Sequence, residues 1–140
     1  MFKAARIWNT ADGKLALRIM VCQKCLAAPF NDDKMTDFFA TIEGESGFNP
    51  YCENINKDGT GDYGLCQLNS YWYLPPNNLT PQQAEDNPEK CVDIMVNAWK
   101  QGRMTDWVAY KFGGYIQHIP LVKSYLPGIL SIVAKTSTNV

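Results

Sequence analysis

Residues 45–73 read ESGFNPYCENINKDGTGDYGLCQLNSYWY, and the fold turns on how this stretch changes character. It opens on a carboxylate, Glu45, at the end of an apolar run that holds Phe38, Phe39 and Ile42. It then crosses residues 54–62, dense in Asn, Asp and Gly, into residues that alternate through Leu68. The change from helical spacing to a two-residue period predicts a helix followed by a hairpin, with residues 57–61 as its turn. Residues 47–50 close the helix, which puts Glu45 in its last turn. Asp62, 17 positions on, falls where a hairpin strand begins.

That division suits acid-assisted cleavage of a glycoside. One carboxyl must stay protonated to donate to the leaving oxygen, while the other stays ionised to stabilise or attack the oxocarbenium-like centre. Phe38, Phe39, Ile42 and Phe48 flank Glu45, and desolvation by them favours its neutral form. Asn54, Asn56 and Asn69 surround Asp62, and their amides can bond a carboxylate and keep it charged. Trp72 and Tyr73 follow, flat apolar rings of the kind on which sugars stack.

Outward from this stretch the pattern is mostly helical. Residues 11–28 read as a helix whose buried face carries Leu15, Ile19, Cys22 and Leu26, stopped by Pro29. The acidic pair Asp32 and Asp33 suits the start of the helix that ends near Glu45. Pro75 and Pro76 mark a break. Thr80-Pro81 opens one further helix and Pro88 another, the latter with residues 92–99 as its apolar face. A helix from near Thr105 through Trp107, Val108, Ala109 and Tyr110 ends at Gly113-Gly114. The remainder, with Pro120 and Pro127, reads as short helical or irregular packing. Phe38, Phe39, Val92, Met95, Trp99 and the cluster at residues 129–133 read as core. Mostly helix with one small hairpin inserted is an α+β arrangement, a single domain over residues 1–140.

Composition removes several functions. The 140 residues carry 13 Lys plus Arg against 14 Asp plus Glu, and a net charge of −1 argues against nucleic acid as a partner. No apolar run approaches the ~20 residues of a membrane span, so no membrane insertion is expected. The single histidine, His118, excludes zinc sites that need two, and it reads as a surface or satisfied residue. Five cysteines (Cys22, Cys25, Cys52, Cys66, Cys91) cannot all pair within one chain, and the lone CxxC at Cys22 and Cys25 reads as buried thiols on one helix face. The start does not read as a secretory signal, because Gln23 and Lys24 interrupt the apolar region. The expectation is synthesis in a reducing cytoplasm. Asn54-x-Asn56-x-Asp58-Gly59 is like the opening of a calcium loop, but Leu65 stands where the bidentate Glu belongs, so a tight turn is expected and no metal.

Residues 45–73 resemble the active-site segment of chicken-type lysozymes without a gap. They are also similar to the soluble lytic transglycosylases, which share the ESxFNP opening and the D-x-G-L-x-Q-x-N-S run seen here as ESGFNP and DYGLCQLNS. The likeness continues through DNPEKCVDI (86–94) and DWVAYKFGG (106–114) and spans about residues 35–115. It implies a lysozyme-like fold, mainly α-helical with one small β-hairpin lobe beside the cleft. Residues 35–115 would be the catalytic core, and residues 1–30 an N-terminal helical extension. It further implies a peptidoglycan glycosidase that cleaves the β-1,4 bond between N-acetylmuramic acid and N-acetylglucosamine. The product is either a reducing end (muramidase) or an anhydro end (lytic transglycosylase), and a non-catalytic glycan-binding or virion structural module is the alternative of another class.

By the same resemblance Glu45 is the general acid and Asp62 the nucleophile or stabiliser. Asn54, Asn56, Gln67, Asn69, Trp72, Tyr73, Trp107 and Tyr110 would bind saccharide, with Trp107 the apolar wall against Glu45, and no cofactor is implied. The chain departs from the lysozyme pattern in a short segment, residues 74–78, after its aromatic pair, in its cysteines and in its near-neutral charge. Lys111 stands where the transglycosylase motif has Asn. These departures point to a bacterial or phage enzyme acting at close quarters on the cell wall, in the periplasm or carried by a secretion or virion assembly.

Overall fold

Thr10 joins the first two elements of the chain. Its hydroxyl donates to the Ile7 carbonyl at the end of a 3-10 turn (Lys3–Ile7) and accepts the Gly13 N–H at the start of α1 (Ala11–Ala27). The crossing is tight at Gly13, where an added Cβ would lie 1.9 Å from the Ile7 carbonyl oxygen. These elements belong to a computed structural model, which describes residues 3–138.

Asn31 caps the next helix, α2 (Asp32–Ser46), by accepting the Lys34 N–H at 2.8 Å, and Asp32 and Asp33 sit in its first turn, where the helix dipole favours negative charge. Gly47 ends it in the left-handed conformation, φ 61°, with its N–H on the Glu43 carbonyl. The sheet follows: β1 (Glu53–Ile55), β2 (Gly61–Tyr63) and β3 (Leu68–Asn69), antiparallel in that order. Next come α3 (Pro81–Asp86), opened by a Thr80/Gln83 capping box, α4 (Pro88–Lys100), α5 (Val108–Lys111) and α6 (Ile119–Thr138). This is an α+β, lysozyme-like fold with a small sheet lobe beside a helical body.

The core lies where α1 packs against α4 and α6, and α2 against α6. Phe38, Phe39, Val92, Met95 and Trp99 are fully buried as the sequence implies, with the Phe38 and Trp99 rings edge to face at 5.0 Å. Arg18 ties the helices from inside. Its guanidinium lies 3.8 Å from the Tyr125 ring centre and 3.6 Å from Glu43, which in turn accepts the Tyr125 hydroxyl.

Four expectations need correction. The buried stripe of α1 is Leu17, Met20, Val21, Cys22 and Cys25, whereas Leu15 is 38% exposed and Leu26 is exposed too. Leu15 and Leu17 lie about 200° apart on this helix while Cys22 belongs to both possible stripes, and packing against α4 and α6 selects the side that holds Leu17. The hairpin gains a third strand, only two residues long and too short to show a period. Trp107 is extended (φ −97°, ψ 122°) between a 3-10 turn (Met104–Asp106) and the single turn of α5, so no continuous helix runs from Thr105. Beyond it, residues read as irregular form the 20-residue α6, whose buried Val122, Leu126, Ile129 and Val133 keep helical spacing while Pro127 faces solvent. All five cysteines are free; burial pushes the Cys22 thiol up to about 11 and Cys91 to about 12.

The sheet lobe is clasped from behind by two carboxyls. Glu85 of α3, only 7% exposed, hydrogen-bonds Glu53 of β1, and burial together with this neighbour and Asp86 pushes Glu85 up to about 7. Cys52 beside them feels both carboxylates. The folded protein thus holds this proton to higher pH than the unfolded chain. The clasp stabilises fully below the ordinary value of 4.5, and that contribution is lost as pH rises through about 7.

Two predictions follow from packing and from the clasp. In urea unfolding, Leu17→Ala costs about 2–5 kcal/mol while Leu15→Ala costs under about 1 kcal/mol, and equal costs would return the buried stripe to Leu15. Glu85→Gln keeps the hydrogen bond without the titration, so its Tm relative to the parent rises by about 3–6 °C between pH 5 and pH 8.

Candidate active site

α2 makes two turns of chemistry with one helix end. Glu43 and Glu45 are two residues, about 200°, apart, so Glu43 points into the Arg18 network while Glu45 faces the opposite way, toward the sheet lobe. Ser46, next in line, donates to the Leu65 carbonyl at 2.6 Å and fixes the helix end to the lobe.

Glu45 lines a cleft of about 460 Å³ together with Asn56, Thr60, Asp62, Gln67, Asn69, Trp72, Tyr73 and Trp107. Its carboxyl accepts the Ala109 N–H at 2.8 Å through Oε1. Burial holds the Glu45 carboxyl above the usual carboxylate range; the Ala109 N–H opposes the shift and the negative charge of Asp62 adds to it. Trp107 is buried against this site, with its indole N–H on the Cys66 carbonyl at 2.8 Å and its ring 5.3 Å from that of Tyr73.

Across the cleft, strand register aligns Asn54, Asp62 and Asn69 on neighbouring strands. Asp62 Oδ2 accepts Asn56 Nδ2 at 3.1 Å, and Oδ1 accepts Asn69 Nδ2 at 3.0 Å. Both amides also donate to Thr60 Oγ1, whose own proton goes to Asp58. Asp58 and Thr60 thereby close the turn at residues 56–60, with the Asn56 N–H on the Thr60 carbonyl at 2.8 Å, the tight turn that the Asn/Asp/Gly run implies.

The candidate residues separate into three groups. Glu45, Asp62, Asn56, Asn69, Trp72, Tyr73 and Trp107 meet in one cleft. Gln67 reaches its wall with its amide engaged: Nε2 donates to the Cys52 and Gly64 carbonyls and Oε1 accepts Asn54 Nδ2, so Gln67 and Asn54 position the lobe. Asn54 bonds Gln67 rather than Asp62 and does not line the cleft, a departure from the expected cluster. Tyr110 also lies outside the cleft. Its ring packs between Trp99 at 5.3 Å and Tyr115 at 4.9 Å, because the break at Trp107 turns the next residues toward the helical body.

Trp72 and Tyr73 divide their roles. Trp72 is 68% exposed at the lip, whereas Tyr73 is 8% exposed and donates its hydroxyl to Asp106 at 2.5 Å. Burial and this carboxylate raise the Tyr73 hydroxyl well above its ordinary value. Thr60 and Asp106 are cleft residues that the sequence reading missed. Thr60 sits inside a recognisable turn, and Asp106 inside the DWVAY motif, but neither residue type alone signals a site.

The arrangement is one partly dry carboxyl and one amide-bonded carboxylate lining the same open groove on a lysozyme-like fold. Comparison with known proteins agrees over part of the chain. It is 50% identical to lysozyme C-1 of Anas platyrhynchos over 38 residues, 27% of this chain and 25% of that protein. It is 35% identical to a lysozyme of Hyalophora cecropia over 63 residues, 44% and 45% of the two chains. It is also 35% identical to sperm acrosome-associated protein 5 of Bos taurus over 75 residues, 51% and 47% of the two. The chain spans about half or less of the length of these relatives. No family model matches it, and no solved structure matches it significantly. These relatives are animal proteins; they support the lysozyme-like resemblance and lend nothing to its bacterial, phage or transglycosylase side.

A carboxyl-resolved NMR titration tests the shared field of the cleft. Glu45 titrates above ordinary glutamates, and Asp62→Asn moves its midpoint down; a midpoint unmoved by that change would mean the two carboxyls do not face each other.

Proposed function

We propose that this protein is a glycosidase of the muramidase type, cutting the β-1,4 bond between N-acetylmuramic acid and N-acetylglucosamine in peptidoglycan. The observation that carries the reading is the pairing of Glu45 and Asp62 across one cleft in unlike surroundings. Supporting it are the partial identities to two lysozymes.

In this mechanism Glu45 begins protonated. The Ala109 N–H occupies Oε1, which leaves Oε2 to carry the proton toward the glycosidic oxygen. As that bond breaks, positive charge grows at the anomeric carbon, and the Asp62 carboxylate, held by Asn56 and Asn69, stabilises or attacks it. Glu45, now ionised, takes a proton from the water that completes hydrolysis. Trp107 keeps the acid side dry, and exposed Trp72 offers a ring face to a sugar. The cell wall is the partner this reading requires. No helix among the described residues is long and apolar enough to cross a membrane.

The test is lysis of purified peptidoglycan with mass spectrometry of the products. Glu45→Gln lowers the rate about 10²–10⁴-fold while glycan binding survives. The rate of the parent falls as pH rises through the elevated Glu45 titration, since the acid must hold its proton. Reducing ends support hydrolysis. Anhydro-muramic ends would transfer the assignment to lytic transglycosylation, and an inactive parent that still binds glycan would make the protein a binding module.

A further inference from the structure

A second groove of about 960 Å³ opens beside the cleft and shares Trp72, Tyr73 and Arg103 with it. Its floor is the outer face of α4. Lys90, Asp93, Ile94, Asn97 and Gln101 follow the i, i+3, i+4, i+7, i+11 spacing of one helical stripe, opposite the stripe of Cys91, Val92, Met95 and Trp99 that enters the core. The far wall is the short segment after the aromatic pair, through Pro76 and Asn77. That segment is too short to cover α4, so the helix face remains open.

The charges there have a definite layout. Glu89 and Asp93 each give one oxygen to Lys24, at 3.1 and 2.9 Å, so two carboxylates share a single cation and leave a residual negative charge. Lys90, one residue from Glu89 and exposed, makes no ion pair among the described residues. Arg103 is engaged by Asp106. The groove thus offers, within one turn of helix, an unpaired ammonium and two carboxylates that share one cation, with Asn97 and with Asn87, whose Nδ2 is held by the Gln83 carbonyl, beside them. A neutral sugar polymer uses the amides but has no call on the opposed charges. A ligand bearing both carboxylates and an amine uses all of them.

We propose that this groove binds the peptide stems carried by the glycan strand, with Lys90 receiving a stem carboxylate and the Glu89/Asp93 pair a stem amine, while the saccharide occupies the adjoining cleft. The assignment rests on the muramidase reading for its polymer, and on continuity of the two grooves at Trp72 for its geometry. It makes Lys90 a specificity residue that distinguishes stem-bearing strands from bare ones.

The experiment has two arms. In the first, KM is measured on soluble peptidoglycan strands with their stems and on strands from which the stems have been removed enzymatically. The parent prefers stem-bearing strands; Lys90→Glu reduces that preference ratio about three- to tenfold, and Lys90→Arg restores it. In the second, a synthetic tetrapeptide with free carboxylates and one free amine is titrated into labelled protein and followed by NMR. Amide shifts gather at residues 87–97 and are lost with Lys90→Glu. A parent without preference, or a peptide that shifts nothing on α4, would overturn the proposal. A parent that cleaves neither substrate yet binds the tetrapeptide would sink the catalytic reading alone and leave the groove assignment standing.

Discussion

The rest of the molecule depends on where α2 stops. Its last turn must place Glu43 inside and Glu45 outside, then release the chain into the sheet lobe within one or two residues. Gly47 supplies the left-handed stop, and Ser46 bonds the Leu65 carbonyl so that helix end and lobe move as one. Phe48, itself at φ 62° and fully buried, is carried by its packing against Phe39 at 5.8 Å. Without the stop at Gly47 the chain would continue along the α2 axis instead of turning into the lobe that carries Asp62.

Two opposed effects are balanced at Glu45. Withdrawal from water favours the neutral acid, yet a buried carboxyl with no partner would lose hydrogen bonding altogether. The short α5 resolves this by giving one N–H from Ala109. The break at Trp107 is what makes that N–H available: in an uninterrupted helix from Thr105 the Ala109 amide would be turned onto a carbonyl of the preceding turn. The same break lets the Trp107 side chain reach the Cys66 carbonyl from behind the cleft. A local irregularity thus supplies both the dry wall and the single donor.

How much of this was legible in the sequence depended on the kind of signal. The start and end of α2, the turn at residues 57–61 and the opening of α3 at Thr80-Pro81 are local chemistry, and they stand in the structure as read. The side of α1 that is buried is not local, because Leu15 and Leu17 belong to stripes of equal period and only the neighbours decide. Prolines misled at α6: Pro120 lies in the first turn, which a helix accepts, and Pro127 lies inside the helix, where the buried stripe of Val122, Leu126, Ile129 and Val133 carries the helix past it. At the site, Glu45, Asp62, Asn56, Asn69 and Trp107 could be named from the motif. The roles of Asn54 and Gln67 could not, since an amide looks the same in sequence whether it faces a ligand or holds two backbone carbonyls.

The aromatic lip stays in place without a disulfide because the backbone N–H groups of Tyr71, Trp72, Tyr73 and Leu74 are all engaged. The Asn69 side chain donates to Asp62 while its oxygen accepts the Tyr71 and Trp72 N–H groups, and its carbonyl accepts those of Tyr73 and Leu74. Asn77 returns to the Tyr73 carbonyl at 2.7 Å, and Leu74, 1% exposed, anchors the segment in the core. One asparagine therefore couples the position of the anionic carboxylate to that of the exposed indole. A covalent loop would hold the lip at the cost of covering α4; this hydrogen-bonded one holds it with five residues, 74–78, and leaves that helix face open.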